Sequence, residues 1–215
     1  MTTVVGICDY GVGNLRSVER AIQACGAEAV ISDNAETIAR CDGVILPGVG
    51  AFAVAARSLQ ETGLGDAVRS VARDGGPVLG VCLGFQLLFE RSDEGSGGEG
   101  LALLPGEVTR LAPGAHLKIP HMGWNTLDTV DAASTLLAGT TPGAYVYFVH
   151  SYAAMPAPTD VAATTHYGVA FAAAVERGNV MGTQFHPEKS GAAGLRIYAN
   201  FIAACASRTL VERVH

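Results

Sequence analysis

Short apolar runs alternate with helical spacing from Val4 to Arg91. Val4 to Cys8, Ala27 to Ile31, Gly43 to Leu46 and Val78 to Val81 are rich in Val, Ile and Leu. Gly, Pro or polar residues bound them, as expected of strands buried on both faces. Between them, Leu15, Val18 and Ile22 fall on one face of a helix that Asn14 could cap. Helical spacing recurs over Asn34 to Arg40, Ala51 to Leu59, Leu64 to Arg73 and Phe85 to Arg91. Such alternation predicts βαβ units and a parallel sheet with helices on both faces.

The pattern changes after Gly95. Ser96 to Gly100 reads as a flexible loop, followed by strand-like runs at Glu107 to Leu111, Tyr145 to Val149, Val161 to Thr165, Phe171 to Val175 and Val180 to Gln184. Helical spacing returns over Ala192 to Cys205. The prediction is one α/β domain over residues 1–215, a mostly parallel central sheet with an antiparallel strand extension in its second half. No internal repeat or long linker interrupts it.

Composition narrows the partners. With 49% apolar and 16% charged residues among 215, the chain folds around a full core. The net charge of −6 and the lack of a Lys/Arg cluster argue against nucleic acid. No basic segment precedes an apolar one at the N-terminus, and no apolar run approaches the ~20 residues of a membrane span. The five cysteines are odd in number and contain no C-x-x-C. That favours free thiols in a reducing compartment, hence a cytoplasmic protein, over disulfides or a zinc site. No cofactor or metal is expected.

Against that background one cysteine stands out. Gly80-Val81-Cys82-Leu83-Gly84 lies between a strand and a helix and has the G-x-S-x-G layout of a nucleophile elbow, with Cys for Ser. A sharp strand-to-helix turn leaves no room for side chains two positions either side, so Gly is needed at both. The turn sets the thiol at a helix N-terminus, which favours thiolate. It also aims the Leu83 N–H at an oxyanion on the attacked carbon. The other four cysteines read as small buried hydrophobes.

A thiol nucleophile needs a base. His186 in Gln184-Phe185-His186-Pro187-Glu188 follows an apolar strand, so it falls at the sheet edge where open α/β sheets keep their sites. Glu188 projects from the same face of an extended backbone and can fix the imidazole tautomer. Pro187 restricts His186 to that extended geometry.

These motifs resemble the class I, triad-type glutamine amidotransferases. Gly80 to Gln86 resembles their nucleophile motif, Gln184 to Glu188 their His/Glu motif, and Pro47-Gly48-Val49-Gly50 their oxyanion loop. Asp9 to Leu15, Pro120 to Asn125 and Tyr147 to Tyr152 resemble, more narrowly, the glutaminase subunits of imidazole glycerol phosphate synthase. The resemblance implies a flavodoxin-like fold and a Cys82–His186–Glu188 triad. It also implies an oxyanion hole from Leu83 and the Val49–Gly50 segment, and a glutamine site built from Gln86, Glu94, His150, Ser151 and Tyr152. It further implies a heterodimer with a separate cyclase subunit, which would use the ammonia in histidine biosynthesis. Tyr10, Asn14, Trp124 and Lys189 are the interface candidates. Two other readings stay open: the glutaminase of anthranilate, guanine-nucleotide or pyridoxal phosphate synthesis, or a stand-alone cysteine hydrolase.

Overall fold

The structure is a computed structural model that describes residues 2–114 and 116–212. In chain order the first half runs β1 (Val4–Cys8), α1 (Leu15–Ala24), β2 (Glu28–Ser32), α2 (Ala35–Ala39), β3 (Gly43–Gly48), α3 (Phe52–Thr62), α4 (Leu64–Arg73), β4 (Val78–Cys82) and α5 (Leu83–Gln86). The second half adds β5 (Arg91–Ser92), β6 (Gly98–Glu99), β7 (Gly106–Arg110), β8 (His121–Thr126), β9 (Thr129–Val130), β10 (Tyr145–His150) and β11 (Tyr152–Pro156). It ends with β12 (Val161–Tyr167), β13 (Val169–Arg177), β14 (Val180–Thr183) and α6 (Gly191–Glu212).

The main sheet has the order β2-β1-β3-β4-β14-β13-β12-β9. Its first half, through β14, is parallel, and β13, β12 and β9 continue it antiparallel. The expected mixed architecture is therefore present. Period-two alternation explains why the parallel strands read as unbroken apolar runs. Ile45 packs in the layer with α1 and α6, alongside Val18, Ile22 and Phe201. Val44 and Leu46 point the other way, against Phe52, Leu59 and Val68 of α3 and α4. Burying each such side chain contributes about 1.5–3 kcal/mol.

Three expectations need correction. Asn14 precedes α1 but its side chain makes no cap; only its carbonyl accepts from Ser17 and Val18. By contrast, Asn34 does cap α2, accepting the Thr37 N–H at 2.9 Å. The helix expected over Phe85 to Arg91 stops at Gln86. The carbonyls of Leu87, Leu88, Phe89 and Glu90 instead accept amides from Gly100 to Leu104, and Arg91 enters a strand. Finally, Ser96 to Gly100 is not simply a flexible loop. Gly98 and Glu99 pair with β5, and a Cβ on Gly100 would lie 2.1 Å from the Phe89 carbonyl oxygen.

Candidate active site

Cys82 ends β4 at φ 55°, ψ −109°. A non-glycine residue there stores strain on the order of 1–3 kcal/mol, which its surroundings must enforce. They do so by close packing. A Cβ at Gly80 would lie 2.6 Å from the Phe85 Cα, and one at Gly84 would lie 1.7 Å from the Leu46 carbonyl oxygen. Neither position can carry a side chain while β3, β4 and α5 stay in place. Because α5 is a single turn, a helix macrodipole adds little at the sulfur, contrary to expectation. The polar groups around the sulfur come from side chains and a carbonyl: the Gln184 amide donates to it at 3.9 Å, and the Val149 carbonyl lies 3.8 Å away.

His186 follows β14, the parallel neighbour of β4, so the sheet itself delivers it beside Cys82. Its Nδ1 stands 2.8 Å from Glu188 Oε1, and both side chains are buried. The backbone is pinned as well: His186 N–H donates to Tyr147 O, and the Ser190 hydroxyl donates to His186 O. Nε2 is buried and has no hydrogen-bond partner of ordinary geometry. Burial opposes charge on the ring, but interactions with the Cys82 sulfur and the Glu188 carboxylate outweigh it and raise His186 to about 10. A ring whose hold on a proton is strengthened in this way, beside a sulfur, can protonate a leaving group.

The thiol opens into a cavity of about 310 Å3, at the lower end of the range for small-ligand sites. Its walls bring together Val49, Gly50, Leu83, Gln86, Glu94, His150, Ser151 and Tyr152 with Cys82. Gly50 sits at φ +101°, a conformation suited to Gly, at the mouth of this cavity. Two wall residues are already engaged. Glu94 Oε2 accepts the Phe52 N–H at 2.7 Å, capping α3. The Gln86 amide donates to the Tyr152 carbonyl at 2.9 Å and to Gln184 Oε1 at 3.0 Å.

The interface candidates separate. Tyr10 is 2% exposed, and its hydroxyl donates to the Pro47 carbonyl, bracing β3 from within. It cannot meet a partner. Asn14, Trp124 and Lys189 are exposed. Trp124 meets the Tyr147 ring edge-on, and Lys189 Nζ lies 5.5 Å from the centre of that ring on its other contact. Met122 and Tyr145 extend this exposed apolar face of the β8–β10 ribbon.

Several residues of the site were not anticipated. Gln184 stands two residues before His186, in the bend that follows β14, and its amide reaches the Cys82 sulfur from there. Tyr198 of α6 donates to Glu188 Oε2 at 3.3 Å, and His121 of β8 pairs with His150; neither has a sequence signal.

Comparison with known proteins adds to the geometry. The family model described as glutamine amidotransferase class-I matches residues 6–205. Imidazole glycerol phosphate synthase subunit HisH of Geobacillus thermodenitrificans is 47% identical over 211 residues, covering 96% of this chain and 98% of that one. The subunit of the same name from Methanosarcina mazei is 48% identical over 201 residues, covering 93% and 98%. Among solved structures, a glutamine amidotransferase superposes with a TM-score of 0.74 at 21% identity, covering 94% and 98%. PurLQS from Thermotoga maritima gives 0.71 at 19%, covering 97% and 100%. At those identities the structures speak for the fold alone.

Proposed function

Because the chain belongs to the class I glutamine amidotransferases and, within them, to the HisH subunits of imidazole glycerol phosphate synthase, we propose that it hydrolyses glutamine to glutamate and ammonia and passes the ammonia to a cyclase subunit in histidine biosynthesis. The observation that carries the reading is the buried His186–Glu188 pair behind a thiol on a strained elbow.

The chemistry follows from the residues present. The Cys82 sulfur attacks the side-chain amide carbon of glutamine. The resulting oxyanion is held by the Leu83 N–H and an N–H of the Val49–Gly50 segment. Such a donor is worth about 10²–10³ in rate. The His186 imidazolium gives its proton to the departing nitrogen, so ammonia leaves and a thioester remains. Water then attacks the thioester, His186 takes its proton, and the C–S bond breaks to release glutamate. Glu188 keeps Nδ1 engaged throughout, so that Nε2 does the proton transfer. Gln86, Glu94, His150, Ser151 and Tyr152 are the groups available to hold the amino-acid end of the substrate.

Ammonia released into water is protonated and loses its nucleophilicity, which is a physical reason for a sealed contact with the cyclase. The exposed ribbon bearing Trp124, with Lys189 against its Tyr147 ring, is the surface proposed to meet it, together with the exposed Asn14. We read residues 1–215 as one amidotransferase domain acting in the cytoplasm, a setting that suits five free cysteines. No helix among the described residues is long and apolar enough to cross a membrane.

Glutamate release by the chain alone and with a ligand-loaded cyclase subunit tests the reading. Release that rises with the cyclase supports it. Full release alone, unchanged by the cyclase, returns the case to a stand-alone hydrolase.

A further inference from the structure

A row of side-chain hydrogen bonds leads from β8 to the Cys82 sulfur, and backbone groups along it fix its direction. The His150 Nδ1 lies 2.8 Å from the Tyr152 carbonyl, which can only accept, so Nδ1 carries the proton. In neutral His150, Nε2 is then an acceptor. Its partner at 2.9 Å is His121 Nδ1, which must donate. That leaves His121 Nε2 as an acceptor, and the Asn125 amide faces it at 3.4 Å. The Asn125 orientation is fixed independently: its nitrogen donates to the His166 carbonyl, and its oxygen accepts from the Thr126 N–H. On the inner side, the Tyr152 carbonyl also accepts from Gln86, whose amide donates to Gln184 Oε1. Gln184 is thereby turned so that its nitrogen meets the Cys82 sulfur.

We propose that His121 is a positioning residue for glutamine hydrolysis: its Nδ1–H holds His150 in the neutral Nδ1–H form, and so fixes the Tyr152 carbonyl and the Gln86–Gln184 amides against Cys82. His121 does not line the thiol cavity and acts through His150, which does. Its ring is clamped between Phe148 and Tyr167, with centroids at 4.8 and 4.1 Å. Neutrality matters because the titratable groups facing His150 are His121 and His186. A charge on His150 would oppose the imidazolium that His186 needs. Burial pushes both His121 and His150 down to about 4, consistent with two neutral rings.

This inference rests on the glutaminase reading, and the test separates the two. His121→Phe keeps the stacking and removes the donor; His121→Asn keeps an amide N–H near the Nδ1 position. In the enzyme assembled with its cyclase subunit, His121→Phe lowers kcat/KM for glutamine about tenfold, the size of one lost buried hydrogen bond, mostly through KM. His121→Asn recovers most of the loss. In 15N spectra of the wild-type imidazoles, His150 is protonated at Nδ1 and bare at Nε2. Wild-type kinetics in a folded His121→Phe, or an Nε2–H His150 in the wild type, overturns the proposal. If His121→Phe does not fold, the wild-type spectrum alone decides. An enzyme that releases no glutamate yet has the Nδ1–H tautomer contradicts the glutaminase reading instead.

Discussion

His186 Nδ1 and Glu188 Oε1 meet at 2.8 Å with side chains only 3% and 2% exposed. In so dry a setting the carboxylate does more than orient the ring; with the Cys82 sulfur, it keeps the ring charged against the penalty of burial. Glu188→Gln retains an acceptor but removes that charge. The His186 pKa then falls from about 10, and glutamine hydrolysis drops by about 10²–10⁴. Glutamate release and imidazole titration by NMR check both parts.

The buried histidines make stability pH-dependent in opposite directions. His150 is lowered to about 4, mainly by burial, so below its ordinary value of 6.5 the unfolded chain takes a proton that the folded one refuses. Its contribution is complete above 6.5 and is lost as pH falls towards 4, at up to about 1.4 kcal/mol per unit. His186 behaves conversely. Its folded form keeps a proton up to about 10, so its contribution is present below 6.5 and is lost as pH rises through 10. Urea unfolding at several pH values reads both. His150→Gln flattens the acid arm relative to the wild type, and His186→Gln flattens the alkaline arm.

One elbow glycine and one loop glycine separate lack of space from backbone strain. Gly84→Ala puts a Cβ 1.7 Å from the Leu46 oxygen and forces β3 and α5 apart. The expected loss is at or above the ~1–3 kcal/mol of an ordinary overpacked site. Gly95→Ala meets no atom within 4 Å, and its φ of +63° alone costs about 1–2 kcal/mol. Denaturation midpoints of the two variants should fall in that order.

Thiol labelling should be selective. Cys82 faces an open cavity, whereas Cys8 and Cys205 are fully buried and the Cys41 thiol is pushed up to about 11 by burial. Iodoacetamide followed by peptide mass spectrometry should find Cys82 modified first, Cys25 next, and Cys8 and Cys205 last. Glutamine should slow the first of these alone.

Much of this was legible because it is local. The parallel strands show as apolar runs, since alternate residues face two different helical layers, as Val44 and Ile45 do. The elbow shows because its glycine spacing is a local motif: Gly80 answers to Phe85 and Gly84 a few residues on, although Gly84 itself answers to Leu46 on the neighbouring strand. What was hidden depends on contacts between distant segments. Leu87 to Glu90 read as helix until the amides of Gly100 to Leu104 took their carbonyls. Tyr10 read as a surface residue until β3 supplied the Pro47 carbonyl to its hydroxyl. The His121–His150 pair exists only because β8 and β10 align in register, with those two residues opposite one another.

Removing the nucleophile tests the central claim. Cys82→Ala, assembled with the cyclase subunit, would be given either glutamine or ammonium salt as the nitrogen source. Loss of glutamine-dependent synthesis with ammonia-dependent synthesis intact is the expected result. Glutamine-dependent turnover that survives the substitution would contradict the role of Cys82 and the mechanism built on it.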